Sequence, residues 1–208
     1  MSKPGLFITF EGIDGSGKST QAKRLAAHLQ SQGRDVVLTR EPGGSTGAEE
    51  IRALVLQGDP ERWSAETEIL LFTAARRDHL ERTINPALAA GKVVICDRFA
   101  DSTRMYQGLS RGDLRPVVDT LHSLMIGREP DLTLLIDMDP ELGLSRALSR
   151  QTADERFEAF GAGLQAQMRR GFLDLAAEFP DRFRVIDGNQ PLDQVTADVL
   201  TTVQSALS

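Results

Sequence analysis

The sequence predicts an α/β fold, a mostly parallel sheet with helices on both faces. Two observations carry the prediction. Short apolar runs of five or six residues alternate with segments of helical periodicity along the whole chain. No repeat, low-complexity segment or linker interrupts that alternation. The 208 residues are 40% hydrophobic, enough for one sizeable core, so residues 1–208 read as one domain.

The elements follow in order. "LFITFE" (Leu6–Glu11) reads as a buried strand. Ala22, Leu25, Ala26 and Leu29 then fall at i, i+3, i+4 and i+7, one face of a helix, and Gly33 stops it. "DVVLT" is the second strand, "REPGGSTG" a loop and "AEEIRALVLQ" a helix. A longer helical stretch begins near Ser64, its candidate cap, and is interrupted by Pro86. "KVVICD" and "LTLLID" are the third and fourth strands. Asp139-Pro140 supplies a cap and a first-turn proline for a helix running to about Arg150. "RQTADERFE" is polar and loop-like. A further helix, a fifth strand "FRVID", the loop "GNQP" and a closing helix complete the chain.

Bulk numbers narrow the function. Lys+Arg 24 against Asp+Glu 30 leaves a net charge of -6, which argues against nonspecific nucleic-acid or membrane-surface binding. Any anionic ligand must be met by local clusters of Arg and Lys. The lone Cys96, inside an apolar run, reads as a buried small hydrophobe and fits a reducing cytoplasm. "MSKPG" lacks a signal-peptide core and no apolar run approaches 18 residues, so a soluble intracellular protein is expected. His28, His79 and His122 show no ligand spacing.

In open parallel sheets, ligands bind beyond the carboxyl ends of the strands. There the first turn reads "GIDGSGKS", which fits G-x-x-x-x-G-K-[ST] at Gly12, Gly17, Lys18 and Ser19, with a strand before it and a helix after it. Small side chains let backbone N–H groups wrap a phosphate, and the helix N-terminus adds partial positive charge. Gly12, Ile13, Asp14, Gly15, Ser16, Gly17, Lys18, Ser19 and Thr20 are therefore the expected triphosphate cradle of ATP. Lys18 reaches the β/γ-phosphates and the Ser19 hydroxyl ligates Mg²⁺.

Binding alone leaves three classes. A GTPase needs N-K-x-D and a D-x-x-G switch, and neither stands in a suitable place. An ATPase switch needs an acid at a strand end, which Asp137 offers. A kinase acting on a phosphorylated acceptor needs no base, because a phosphate monoester is largely dianionic at pH 7. It needs cations converging where two polyanions meet, and exclusion of water. Arg40 and Arg98 follow strands two and three. Arg146 and Arg150 are four apart on one helix face, and Arg156 lies in the polar loop beyond. A polar, Arg-bearing segment at about 150–158 suits a mobile lid.

These motifs resemble the thymidylate kinase family, whose members convert dTMP to dTDP with ATP in dTTP biosynthesis. The resemblance rests on "FEGIDGSGKST", "TREPGG", "LLFTAAR", "CDRFADSTRMYQG", "PDLTLLIDMDPELGLSR", "ERFE" and "IDGNQPLDQV". It implies a P-loop three-layer αβα sandwich with a five-stranded parallel sheet, and a homodimer, for which Ile51, Leu54 and Val55 offer an apolar face. It implies that Asp14 contacts the acceptor sugar 3′-OH and that Phe72 stacks on thymine, although periodicity alone places Phe72 in the core. Arg76 would donate to thymine O4, Thr103 would meet N3–H, Tyr106 would pack under the 2′ position, and Gln107 would complete the acceptor pocket. Arg98 and Arg40 would hold the acceptor phosphate, with Asp97 organising Mg²⁺ and Arg98. Glu41 and Pro42 would shape their loop. Asn189 and Gln190 would border adenine, beside Arg146. Some family members carry an arginine directly after the position of Asp14. Here that residue is Gly15, so Arg150 and Arg156 become the candidates for the transferring phosphoryl, which resembles the bacterial arrangement. The alternative is a kinase for another nucleoside monophosphate.

Overall fold

A computed structural model of the chain describes residues 5–59, 62–109, 112–149 and 161–207. Five strands, β1 (Leu6–Glu11), β2 (Val36–Arg40), β3 (Val93–Asp97), β4 (Leu132–Asp137) and β5 (Phe183–Asp187), form one sheet in the order β2-β3-β1-β4-β5. All four pairings are parallel. The helices are α1 (Lys18–Ser31), α2 (Thr46–Leu56), α3 (Ala65–His79), α4 (Asn85–Ala89), α5 (Ala100–Tyr106), α6 (Arg115–Leu121), α7 (Pro140–Leu148), α8 (Gly161–Glu178) and α9 (Leu192–Leu207).

The strands read as continuous apolar runs because both faces of the sheet are covered. Ile8 and Phe10 of β1, Ile95 of β3 and Leu134 and Ile136 of β4 meet Leu25 and Leu29 of α1 and Val195, Val199 and Val203 of α9. The alternate residues Phe7, Val94 and Cys96 pack on Leu80, Ile84 and Ala87, with Phe99 and Ala100. Beside them Leu135 packs on Met105 of α5 and Met168, Phe172 and Leu175 of α8. That is the expected three-layer arrangement. β1 lies at its centre, between β3 and β4, with β2 and β3 on one side and β4 and β5 on the other, so the crevice opens at its carboxyl end.

Several expectations shift by local physics. Arg40 is the last residue of β2 rather than the first after it, paired in register with Asp97. The Ser64 side chain caps α3 by accepting from Thr67 N, and Asp139 caps α7 by accepting from Glu141 N and Leu142 N. Pro86 does not interrupt its helix. A π-helical turn, Leu80–Ile84, precedes it, and Pro86 sits in the first turn of α4, where no N–H is required of it. The two short helices between β3 and β4, α5 and α6, are not anticipated by the sequence pattern.

A buried ionic network fixes α5 against the sheet. Asp101 is fully buried and accepts from Arg104 Nη1 at 2.7 Å and from Arg182 Nη1 and Nη2 at 2.6 and 2.9 Å. Arg182 also donates to Thr133 Oγ1, which bonds Thr9 Oγ1 across β1 and β4. Removing one partner strands buried charge, which costs about 3–5 kcal/mol. Asp101→Ala is expected to lose that much unfolding free energy in urea titrations, and a loss below about 1 kcal/mol contradicts this account of the network.

Candidate active site

The turn from β1 into α1 has Gly17 at the helix N-cap with φ 96°. An added Cβ there meets nothing within 4 Å, so this glycine answers to backbone conformation and opens toward the crevice. Gly15 answers to packing. A Cβ on it would stand 1.9 Å from the carbonyl oxygen of Gly143 in α7. At Gly15 the missing side chain makes room for the chain's own backbone. Lys18 is nearly buried, and its ammonium donates to the Ile13 carbonyl at 2.7 Å. Burial, then the nearby Arg98 charge, lowers its pKa from 10.5 to about 8.

Arg98 is the one non-glycine residue with positive φ, 70°, among the described residues. Such backbone costs energy and persists only where its surroundings fix it. Here Arg98 N donates to Phe10 O at 3.0 Å, the Cys96 thiol donates to Arg98 O, and the next N–H, of Phe99, donates to Glu11 Oε1 at 2.8 Å. Glu11 also accepts from Ser102 N at 3.3 Å and the Ser102 hydroxyl at 2.6 Å. The guanidinium is thereby aimed across the mouth of the P-loop. It donates to Asp14 Oδ1 and to Ser102 Oγ, and it lies 5.0 Å over the Tyr106 ring. The Tyr106 hydroxyl donates to Asp14 Oδ2 at 2.7 Å. Burial works to raise the Asp14 pKa, but the charges of Arg98 and Lys18 and these hydrogen bonds outweigh it and hold the carboxyl below its usual value.

A cleft of about 330 Å³, within the range of ligand pockets, joins the P-loop to a second group of side chains. Phe72 and Arg76, four apart on α3, both face it, with Thr103 and Gln107 from and after α5. Ile69 is fully buried while Phe72 is half-buried and lines the cleft, so the core reading of Phe72 is corrected: this stretch of the α3 face borders the cavity rather than packed side chains. Arg76 Nε donates to Glu41 Oε2 at 2.7 Å, and Nη2 donates to Phe99 O and Thr103 Oγ1. The Glu41-Pro42 bond is cis. Arg40 lines the same cleft, its guanidinium 3.1 Å from Glu49 Oε2. Lys18, Arg40, Arg52, Arg76 and Arg98 thus meet Asp14, Glu41 and Asp97 around one cavity, a local positive excess in an acidic chain.

A model of the thymidylate kinase family matches residues 10–199. This chain belongs to the thymidylate kinase family. It is 76% identical over 208 residues to the thymidylate kinase of Ruegeria pomeroyi, covering 100% of this chain and 99% of that one. It is 68% identical to that of Dinoroseobacter shibae, covering 96% and 97%. The crystal structure of thymidylate kinase from Ehrlichia chaffeensis superposes with a TM-score of 0.78 at 37% identity, covering 97% of this chain and 99% of that one.

Other features of this thymidylate kinase family member are placed as follows. Gly12, Ile13, Ser16 and Thr20 do not line the cleft, whereas Asp14, Gly15, Gly17, Lys18 and Ser19 do. Asp97 lines it too, and its Oδ1 is buried with no hydrogen-bond partner among the described residues. Arg146 lies away from the cleft, its Nη1 3.5 Å from Met138 Sδ. Asn189 bonds Asp187 and the Asp139 N–H at the start of α7, Gln190 bonds Asp198 of α9, and neither lines the cleft. Arg150, Arg156 and the expected lid at 150–158 fall outside the described residues. Asp137, the acid that would serve an ATPase switch, is held by the Arg169 fork at 2.7 and 2.8 Å and does not line the cleft. Of the apolar dimer candidates, Val55 is buried and Leu54 exposed. Sequence reasoning missed Arg52 of α2, which lines the cleft and donates to Pro42 O at 2.7 Å. It also missed the roles of Glu11 and Ser102. The only signal for them was a carboxylate ending an otherwise apolar strand.

Glu11 yields a test. Burial, then the Asp101 charge, raises its pKa from 4.5 to about 7. A raised carboxyl contributes stability in full below about pH 4.5 and loses it as pH rises through about 7. The unfolding free energy of the wild type minus that of Glu11→Gln is expected to fall across this window. A difference that stays level with pH contradicts the assignment.

Proposed function

We infer that the protein transfers the γ-phosphoryl group of ATP to dTMP, giving dTDP and ADP. The observation that carries the reading is the single cleft with the P-loop and Lys18 at one end and Phe72, Arg76 and Thr103 at the other, with Arg98 between them. We propose that the whole chain acts as one kinase domain, in the cytoplasm, as a homodimer whose faces include exposed Leu54.

The acceptor phosphate needs no base, so the work of the protein is positioning and charge compensation. Gly15, Gly17, Lys18 and Ser19 would hold the triphosphate. Arg98 and Arg40 would hold the acceptor phosphate in line with it. Lys18 and Arg98 would stabilise charge on the transferring oxygens, joined by a lid arginine, Arg150 or Arg156. Asp14 keeps Arg98 and Tyr106 in place and is poised for the sugar 3′-OH. Tyr106 would close the space a ribose 2′-OH needs. Phe72 would stack on the base, with Arg76, Thr103 and Gln107 along its edge. Arg146, Asn189 and Gln190 would border the adenine.

The residues also fit Mg²⁺. The orphaned Asp97 Oδ1 and the Ser19 hydroxyl are hard oxygen donors on the cleft wall. Mg²⁺ commonly takes one or two protein oxygens and draws its other ligands from substrate phosphates and water. Such an ion supplies charge neutralisation of the phosphate oxygens.

A panel of dTMP, dUMP, UMP, CMP, AMP and GMP with ATP, read as ADP release, tests the reading. Turnover with dTMP well above the rest is expected. Slow hydrolysis indifferent to every acceptor would identify a switch instead, and a different best acceptor another monophosphate kinase. Arg98→Ala is expected to lose about three orders of magnitude in kcat with the fold retained. Near-normal turnover removes it from the mechanism.

Lys18 adds a pH signature. Phosphates beside it favour its charged form, so above about pH 8 ATP binding takes up a proton. Affinity for ATP is expected to weaken by up to about tenfold per pH unit there. Lys18→Met should bind weakly with a flat profile in calorimetry, and an equally steep profile in that variant rules Lys18 out as the titrating group.

A further inference from the structure

Arg76 is held by more than its cleft. Its five N–H groups divide unequally. Nε donates to Glu41, and Nη2 donates to Phe99 O and Thr103 Oγ1. Nη1 has no partner among the described residues and belongs to a side chain on the cleft wall. Where Nη1 points therefore depends on where Glu41 is held.

Glu41 and Arg76 are a buried pair, 5% and 4% exposed, so little water competes for the carboxylate. Its other oxygen, Oε1, is 3.0 Å from His79 Nδ1. His79 is fully buried, one helical turn beyond Arg76 on α3, and its Nε2 is 2.7 Å from Thr39 Oγ1 at the end of β2. Gly44 packs directly against the ring: a Cβ there would come within 2.3 Å of His79 Nε2, so the absence of a side chain at 44 leaves the ring its place. A hydrogen-bonded line therefore runs Thr39, His79, Glu41, Arg76, Thr103, from the sheet to the cleft.

We propose that His79 is a positioning residue for base selection. By filling the second acceptor of Glu41 it fixes the carboxylate that fixes Arg76, so that Nη1 meets an acceptor at position 4 of a pyrimidine. A base with a carbonyl there is accepted, and one with an amino group presents donor to donor and is rejected. A site built around a buried donor rejects the wrong partner strongly because its own polar groups are left unpaired. The inference rests on the reading that Phe72 and Arg76 receive the base of dTMP.

The test compares kcat/KM for dTMP and dCMP. His79→Leu is expected to lower the dTMP preference by about tenfold or more while the KM for ATP stays put. His79→Asn keeps an N–H donor beside Glu41 and should restore most of the preference. In an Arg76→Leu background, His79→Leu should change the ratio no further, because both act through one guanidinium. Should His79→Leu fail to fold, His79→Phe, which keeps a flat ring but has no donor for Glu41, takes its place in each arm. An unchanged ratio in the His79 variant, with the ratio collapsed in Arg76→Leu, overturns the role of His79 alone. Additive effects of the two substitutions overturn it as well. An unchanged ratio in Arg76→Leu overturns the base-site reading and this inference with it.

Discussion

The site depends on one backbone constraint, the left-handed conformation of Arg98 directly after β3. A β-strand continuing in its own direction would carry that guanidinium past the P-loop. Positive φ turns it back across the mouth, toward Asp14 and the Tyr106 ring. The conformation is unfavourable for a residue with a Cβ, and the surroundings supply what holds it. Phe10 and Cys96 satisfy the Arg98 backbone, and buried Glu11 gathers the N–H groups of Phe99 and Ser102. β1 therefore does two jobs. Its end starts the P-loop, and its last side chain fixes the residue that faces the P-loop from β3.

The same economy holds on the other wall. The P-loop is packed from outside by α7, with Gly15 against the Gly143 carbonyl so closely that any side chain at 15 would displace the helix. That explains in physical terms why no cation is presented from this position of the loop. The cations around the cleft come from β2, α2, α3 and the β3–α5 turn instead, and Lys18 alone comes from the P-loop. The kinase activity follows from that distribution. Among the described residues of an acidic protein, five positive side chains gather at one cavity, where two mutually repelling phosphate groups can be brought together.

Much of this was legible in the chain. β1 and β4 stand where their apolar runs placed them, because a strand covered on both faces writes itself as an unbroken run. Gly12, Gly17, Lys18 and Ser19 announced the phosphate turn because its backbone geometry and its charge both constrain residue type. α5 and α6 were not legible. They are seven residues each, too short for two full periods, and α5 buries Asp101 and Arg104, which no apolar pattern marks. Glu11 was missed, Glu41 was read only as shaping its loop, and His79 was given no role, for a related reason. A buried polar group looks like an exposed one until its partners are known, and theirs lie 35 to 91 residues away in most cases. Arg40 and Arg98 were readable because strand ends in a parallel sheet converge. Arg52, which reaches the cleft from a helix, had no such marker.

The central claim is that Arg98 is held ready for the phosphate of the acceptor at the mouth of the P-loop. A crystal structure with dTMP and a non-hydrolysable ATP analogue measures this directly. The account predicts the guanidinium within hydrogen-bond distance of the dTMP phosphate, with the Arg98 backbone still left-handed and Phe99 N still on Glu11. A dTMP phosphate seated elsewhere, with Arg98 bonded to Asp14 and Ser102 alone, would contradict it.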